Sequence, residues 1–476
     1  MNFVEWIEKA NGTLNGWVWG LWMAAVIVGV GFLLSIRTGF VQFRRFGFVM
    51  KNTLGKMFSR RKAGKGEVTP FQALTTALAA TVGTGNIVGV TGAVLVGGPG
   101  TVFWLWISGL IGMCTKYAEV VLSIKYRQRN KNGDWVGGPM YYIRNGLGQN
   151  WKWLAVLFAV FGTIASFGIG CVAQIQSIAS AFNTAVQAFI PSAAASENVI
   201  NIAVGLTVAV LAALVLLGGV KRIGTVTERL VPFMAVVYIM GALVVIFANV
   251  DKLGPAFVSI FESAFSPNAV IGAAAGITFK TMVTKGIGRG VFSNEAGLGS
   301  AGIAHAASSE SNPVRQGVYG ICEVFLDTIV ICTLTSLVIL VGGRDLVFGA
   351  PGGAKEAIAA FSSELGPRAG SLLIAVGLTL FASSTIFTWS LYGTRCIEYL
   401  TGADRHDRRA VTRIYQLLFV ATIIAGSTMD LKLVWDLSDT FNGLMAIPNL
   451  LALLLLSGVV AGETKKFFSK RNRVGG

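Results

Sequence analysis

The chain has 476 residues, 53% of them hydrophobic and only 13% charged, with a mean hydropathy of +0.66 and a formal net charge of +16. So few charges cannot clothe a water-soluble surface of this size, and apolar runs of about 18 residues or more recur along it, which makes the chain an all-α polytopic membrane protein. The surplus of Lys and Arg then belongs in the loops, and its distribution there removes nucleic acid as a partner.

The opening MNFVEWIEKANGTLNGW lacks a basic n-region and an A-x-A cleavage site, so no removable signal peptide is expected. Eleven spans follow, at about 16–36, 71–97, 100–124, 153–189, 199–219, 230–250, 268–308, 317–342, 369–393, 411–426 and 437–461. Residues 153–189 are kept as one long, tilted helix, because splitting them would break the alternation of loop charge described next. Lys280, Lys285 and Arg289 do not suit a bilayer core, so 268–282 is alternatively an external interfacial helix, with the seventh span starting near Gly286. The five cysteines, Cys114, Cys171, Cys322, Cys332 and Cys396, lie in or at the ends of apolar segments without C-x-x-C spacing, as packing residues would.

Arg37, Arg44, Arg45, Lys51, Lys56, Arg60, Arg61, Lys62 and Lys65 fill the loop between the first two spans, and every second loop after it is also basic. The positive-inside rule therefore places the N-terminus outside and the C-terminal tail, with Lys465, Lys466, Lys470, Arg471 and Arg473, in the cytoplasm. The expected location is the plasma (inner) membrane, with the lipid bilayer as the surrounding partner.

Two spans are interrupted. Ala80–Val90 reads ATVGTGNIVGV, and its TVGTG differs by one letter from the TVGYG of potassium-channel filters, but apolar sequence continues on both sides instead of a short re-entrant helix. Glycines also serve close helix packing, which is the bland reading of Gly83, Gly89 and Gly92; Asn86, a polar amide at mid-depth beside Thr81 and Thr84, favours a break. The second case is GRGVFSNEAGLGSAGIAHAA, where glycines bracket Ser293, Asn294 and Glu295. A carboxylate there is functional or is paired with a residue such as Arg289.

The interrupted spans are the second and the seventh, which open two successive sets of five helices with opposite orientation. The expected architecture is one extra N-terminal helix with a basic linker (1–66), a first five-helix repeat (67–250), a second, inverted repeat (251–462) and a basic tail (463–476). Helices broken at the membrane midplane free N–H groups for a carboxylate and carbonyls for a cation, the arrangement of leucine-transporter-like carriers.

FQALTTALAATVGTGNIVGV, GGPGTVFWLWISGLIGM, GRGVFSNEAGLGSAGIAHAA and EVFLDTIVICTLTSLVIL, in that order, resemble the alanine or glycine:cation symporter family over nearly the whole chain. The resemblance implies a leucine-transporter-like fold and uptake of small neutral amino acids, alanine and glycine, by alternating access. Na+ is then the coupling ion, with H+ as the alternative, and no organic cofactor is implied. By the same resemblance, Gly83, Thr84 and Gly85 hold the substrate carboxylate. Gln174, Phe292, Asn294, Thr385 and Trp389 complete the pocket. One Na+ site takes oxygens from Ala79, Val82, Phe381, Ser384 and Thr385, and a second cation position lies at Thr81 and Asn86.

Several polar residues keep two readings. Gln174 and Gln176 point to different faces of the fourth span, so one of them at most sees the pocket, and Gln174 is preferred over its reading as interhelical glue. Glu295 and Asp327 are the candidate coupling acids; Asp327 can ligate Na+, carry a proton or brace a basic residue of span seven. Lys116 and Glu119, three residues apart, read as a structural pair. With two histidines, no H-E-x-x-H, no G-x-S-x-G and no P-loop, the chain lacks the parts of an enzyme or an ATP-driven pump. A cation channel or uncoupled facilitator on the same broken helices is the competing function, and the sequence carries no signal of oligomeric state.

Overall fold

A computed structural model describes residues 3–56, 63–64, 66–265, 277–343, 347–350, 352–402, 409–429 and 432–474. Helices run as α1 (Phe3–Val18), α2 (Leu21–Arg37), α3 (Pro70–Thr81), α4 (Gly85–Gly97), α5 (Thr101–Tyr126), α6 (Gln149–Phe189), α7 (Glu197–Leu216), α8 (Gly219–Ala248) and α9 (Val250–Phe265). They continue as α10 (Phe279–Asn294), α11 (Ala301–Ala306), α12 (Pro313–Gly342), α13 (Ala354–Leu365), α14 (Pro367–Thr401), α15 (Arg409–Thr428), α16 (Lys432–Leu444) and α17 (Ala446–Val474). A two-stranded antiparallel ribbon, β1 (Gln128–Arg129) and β2 (Trp135–Val136), lies between α5 and α6.

Among the described residues nine helices are long and apolar enough to cross a membrane, and ten if α3 and α4, bent by 49°, form one span. The expected count of eleven needs the seventh span as well. That span is not a simple one: its described part is α10 and the six-residue α11, separated by 295–300, and 268–276 lie outside the described residues. Most of the interfacial helix expected at 268–282 thus lies outside the described residues, and α9 ends ahead of it at Phe265. The helix that carries Gly286, α10, starts at Phe279, where the Thr278 side chain caps the Thr281 amide. Of the basic residues named for orientation, Arg60, Arg61, Lys62 and Lys65 lie outside the described residues, as do Arg405 and Arg408 in the basic loop between the ninth and tenth spans.

The burial of each span sorts the layers. In the most apolar window of α5, 83% of residues are buried, and in α14 72%, against 28–33% in α7, α8 and α15, so α5 and α14 are inner helices and the other three face lipid. Helix α6 runs unbroken through 41 residues, with one widened turn at Gly168–Val172. That turn lets α14 approach: a Cβ on Gly170 would stand 2.3 Å from the Cβ of Trp389.

Local sequence explains how the second span starts and stops. Pro70 opens α3 behind a capping box, with Gln72 N–H on Thr69 Oγ1 at 3.1 Å and Thr69 N–H on Gln72 Oε1 at 3.0 Å. Val82 then leaves helical geometry with ψ 89°, and the helix resumes at Gly85. In the seventh span Glu295 takes a left-handed conformation (φ 54°), and Gly297 and Gly299 also have positive φ, so the chain uncoils before α11.

Candidate functional site

The two breaks face one another, and their polar groups close onto neighbouring helices. Across the first break, Gly83 N–H donates to Asn86 Oδ1 at 2.8 Å, while Thr84 N–H points at Gln174 Oε1, 3.5 Å away. Gln174 is held by its own amide on the Ile169 carbonyl at 3.0 Å, so it is the glutamine of α6 that reaches the break. Gln176 turns away to the Met429 carbonyl. A Cβ on Gly83 would lie 2.7 Å from Thr385 Oγ1, which leaves room there for hydrogen only. On the other side, Gly85 faces the ring of Phe292.

Beneath the break, oxygens converge from α3 and α14. Ser384 Oγ lies 3.2 Å from the Ala79 carbonyl and 2.8 Å from that of Phe381; Thr385 Oγ1 lies 3.0 and 3.1 Å from the same two. All four residues are buried. Each hydroxyl has one proton for two carbonyls, so the cluster holds more acceptor capacity than it can satisfy. Neutral hard oxygens in this number suit a small hard cation. Val82, the fifth residue expected here, is buried one residue before the break.

A second polar cluster forms where the two breaks meet. Asn86 Nδ2 donates to Asp327 Oδ1 at 2.6 Å and to Ser293 Oγ at 2.9 Å; Ser293 Oγ also reaches Asp327, and Thr328 Oγ1 donates to Asp327 Oδ2 at 2.8 Å. Asp327 is fully buried, and these hydrogen-bond donors are all neutral. Of the three roles left open for Asp327, bracing a basic residue of span seven is not the one these contacts make. Asn294 is engaged locally: its oxygen accepts from Ala296 N–H at 2.9 Å and its nitrogen donates to Thr328. Thr81 bonds back to its own helix at Ala77 and Leu78, and the Asn86 oxygen is shared with the Gly83 amide.

One pairing left open by the sequence and one expected from it are not made. Glu295 does not meet Arg289; it accepts from Ser300 Oγ at 2.5 Å and from Trp389 Nε1 at 3.1 Å. Arg289 instead stacks on Phe292, 4.7 Å from its centroid, and lines a cavity of about 160 Å³ with Asn15, Trp19, Lys285 and Asp439. Lys116 pairs with Glu323 at 3.4 Å, not with Glu119. Glu119 Oε1 accepts from the amides of Gly297 (2.8 Å) and Gly299 (3.1 Å) and from Asn449 Nδ2 (2.7 Å), so it holds the uncoiled segment ahead of α11. His305 on α11 completes the network, with Nε2 3.1 Å from Glu323 Oε2 and Nδ1 accepting from Gln316. The sequence reading missed Glu323 as the partner of Lys116 and His305 as the second partner of Glu323. An ionisable residue at mid-depth was the available signal, and the i, i+3 neighbour was a nearer but wrong answer.

The comparisons agree with this architecture. The family model described as the sodium:alanine symporter family matches residues 4–475. The chain is similar to the sodium/alanine symporter AgcS of Methanococcus maripaludis, 44% identical over 98% of this chain and 98% of that one. It is also similar to an uncharacterized transporter of Haemophilus influenzae, 43% identical over 98% and 97%. Among solved structures, the crystal structure of MhsT in complex with L-phenylalanine matches with a TM-score of 0.58 at 14% identity, covering 84% of this chain and 99% of that one. That likeness concerns the fold, which is leucine-transporter-like. A family match along nearly the whole length, two interrupted spans and an oxygen cluster beside the first break lead to one conclusion: the chain belongs to the sodium:alanine symporter family, whose members are membrane transporters and not enzymes.

Proposed function

We propose that this protein is a secondary symporter that imports small neutral amino acids, alanine and glycine, with Na+ by alternating access. The observation that carries the reading is the cluster of Ala79, Phe381, Ser384 and Thr385 oxygens directly below Gly83. In it, Na+ takes the carbonyls of Ala79, Val82 and Phe381 and the hydroxyls of Ser384 and Thr385. The amides of Thr84 and Gly85 hold the substrate carboxylate, with Gln174 beside them, and Phe292, Asn294 and Trp389 bound the rest of the pocket. The second cation position uses Thr81, Asn86 and the charge of Asp327, a buried carboxylate whose hydrogen-bond donors are neutral, which attracts either Na+ or H+.

The driving force is adequate. One Na+ moving inward releases about 2.3 kcal/mol per 100 mV before its concentration ratio is counted, enough for tens-fold accumulation of a neutral amino acid. We also read the chain as an inner-membrane protein with its N-terminus outside and two five-helix repeats, 67–250 and 251–462, behind the extra first helix. Binding of labelled alanine to the detergent-purified protein tests the site. It should require Na+ and should weaken strongly when choline replaces it; Na+-independent binding would favour an uncoupled facilitator.

A further inference from the structure

The polar groups on the face with the basic loops are not used by the site above, yet they form one connected set. The inner ends of the two broken spans meet there: Val68 N–H donates to the Ala307 carbonyl at 3.0 Å, and Ser309 N–H donates to the Val68 carbonyl at 2.8 Å. The β1–β2 hairpin covers this junction. The guanidiniums of Arg127 and Arg129 each stack on Trp135, 4.2 Å from its ring centroid, and its Nε1 donates to Glu67 Oε1 at 3.0 Å. Arg129 donates to the same oxygen at 2.6 Å. Arg127 donates to the carbonyls of Ala306, Ser308 and Glu310, past the end of α11.

The other edge of the hairpin is tied to α14. Asn130 Nδ2 donates to Glu398 Oε1 at 2.7 Å, and Asp134 lies 3.4 Å from Arg395, itself paired with Glu398. At the hairpin exit, Gly137 and Gly138 press on α11: added Cβ atoms would lie 2.6 Å from Ala306 Cβ and 2.7 Å from Ile303 Cγ1. Glu398 is 13 residues beyond Thr385 on one helix, so this junction sits about 20 Å from the oxygen cluster at 1.5 Å per residue.

We propose that the hairpin Gln128–Val136 is the inner latch of the transport cycle: it ties α3, α11 and α14 together, and the route from the break to the cytoplasm opens when Trp135 leaves Glu67. The inference rests on the alternating-access reading above. A carrier must open this junction in each cycle, and the contacts holding it are hydrogen bonds and ion pairs at the water boundary, individually weak and readily exchanged for water. An interlocked apolar seam would not reopen so easily. Burial pushes the Glu67 carboxyl up, but the Trp135 indole, the Gly64 amide and Arg129 outweigh it and hold the group below its ordinary value. Burial draws the Arg127 guanidinium down to about 10, which leaves it a cation at neutral pH. Glu67 and Arg127 are therefore both charged at neutral pH, so the ionic contacts at Trp135 are in place there.

The test is accessibility of a cysteine placed at Thr76, a buried residue of α3 whose carbonyl accepts from Thr388 of α14 at 3.1 Å. The native cysteines are all buried. An impermeant maleimide applied from the hairpin side should label Thr76→Cys about five- to tenfold faster when Trp135→Ala is added, with Na+-dependent alanine binding retained. Trp135→Phe, which keeps the stack and loses the N–H, should fall between. An unchanged labelling rate with intact binding would overturn the latch. Where Trp135→Ala fails to insert, Glu67→Gln and Asn130→Ala are read by the same criterion. Absence of Na+-dependent binding in the parent protein, with Trp135 intact, would instead count against the symport reading, because the labelling rate does not depend on substrate.

Discussion

The indole Nε1 of Trp389 donates to Oε1 of Glu295 over 3.1 Å, joining α14 to the break in the seventh span. Both residues are buried, and Glu295 is held in a left-handed conformation that a side chain other than glycine adopts only when its partners enforce it. The tryptophan is thus a wall of the proposed pocket with a fixed orientation. Replacing it by Leu should admit serine-, threonine- or valine-sized competitors of alanine uptake. It should also weaken alanine, since the overpacking that excludes larger side chains costs about 1–3 kcal/mol and the shortened residue leaves a void. A competition series identical to that of the unaltered protein would remove Trp389 from selectivity.

Ser384 and Thr385 share the carbonyls of Ala79 and Phe381, and this sharing predicts their effect on coupling. Ser384→Ala combined with Thr385→Val removes two of the oxygens while leaving the packing of α14 nearly the same. The Na+ concentration for half-maximal uptake should rise at least tenfold, with protein abundance little changed. Unaltered Na+ dependence would move the ion elsewhere.

Asp327 accepts from Asn86, Ser293 and Thr328. Asp327→Asn retains the shape and removes the charge, and its amide nitrogen would face donors from three directions. The expected outcome is a folded protein whose Na+ dependence is flattened or whose uptake is lost, measured against Asn86→Leu in the same assay. Uptake with ordinary Na+ dependence in both variants would exclude this cluster from ion coupling.

Lys116 and Glu323 form a fully buried ion pair that His305 extends. Removing one charge strands the other, at a cost of about 3–5 kcal/mol, whereas removing both together is far milder. Lys116→Met and Glu323→Gln should each lower the melting temperature of the purified protein strongly, and the double variant should recover most of the loss. Additive losses would mean the two charges are not a pair.

Much of this was legible from local features. Apolar runs located the spans, Gly83, Thr84 and Gly85 marked the first break, and helical spacing showed that Gln174 and Gln176 face different ways, Gln174 to the break and Gln176 to Met429. What the sequence could not convey was partner choice across 90 to 330 residues. Glu119 meets Asn449 and Glu295 meets Trp389, while the sequence reading sent each to a near neighbour. Asn294, proposed as a pocket group, also accepts from Ala296 N–H within its own break, a local bond that arises because an uncoiled segment has unpaired amides within reach of its nearest amide side chain. The start of the seventh span was obscured by Lys280, Lys285 and Arg289, charges that read as incompatible with a span and that ride instead on α10.

Uptake of labelled alanine into proteoliposomes of the purified protein tests the central claim most directly. With Na+ outside and none inside, alanine should accumulate several-fold above the external concentration, and the accumulated label should run out when a sodium ionophore dissipates the gradient. Equilibration to the external concentration, with the same rate in Na+ and in choline, would contradict the account and identify a facilitator.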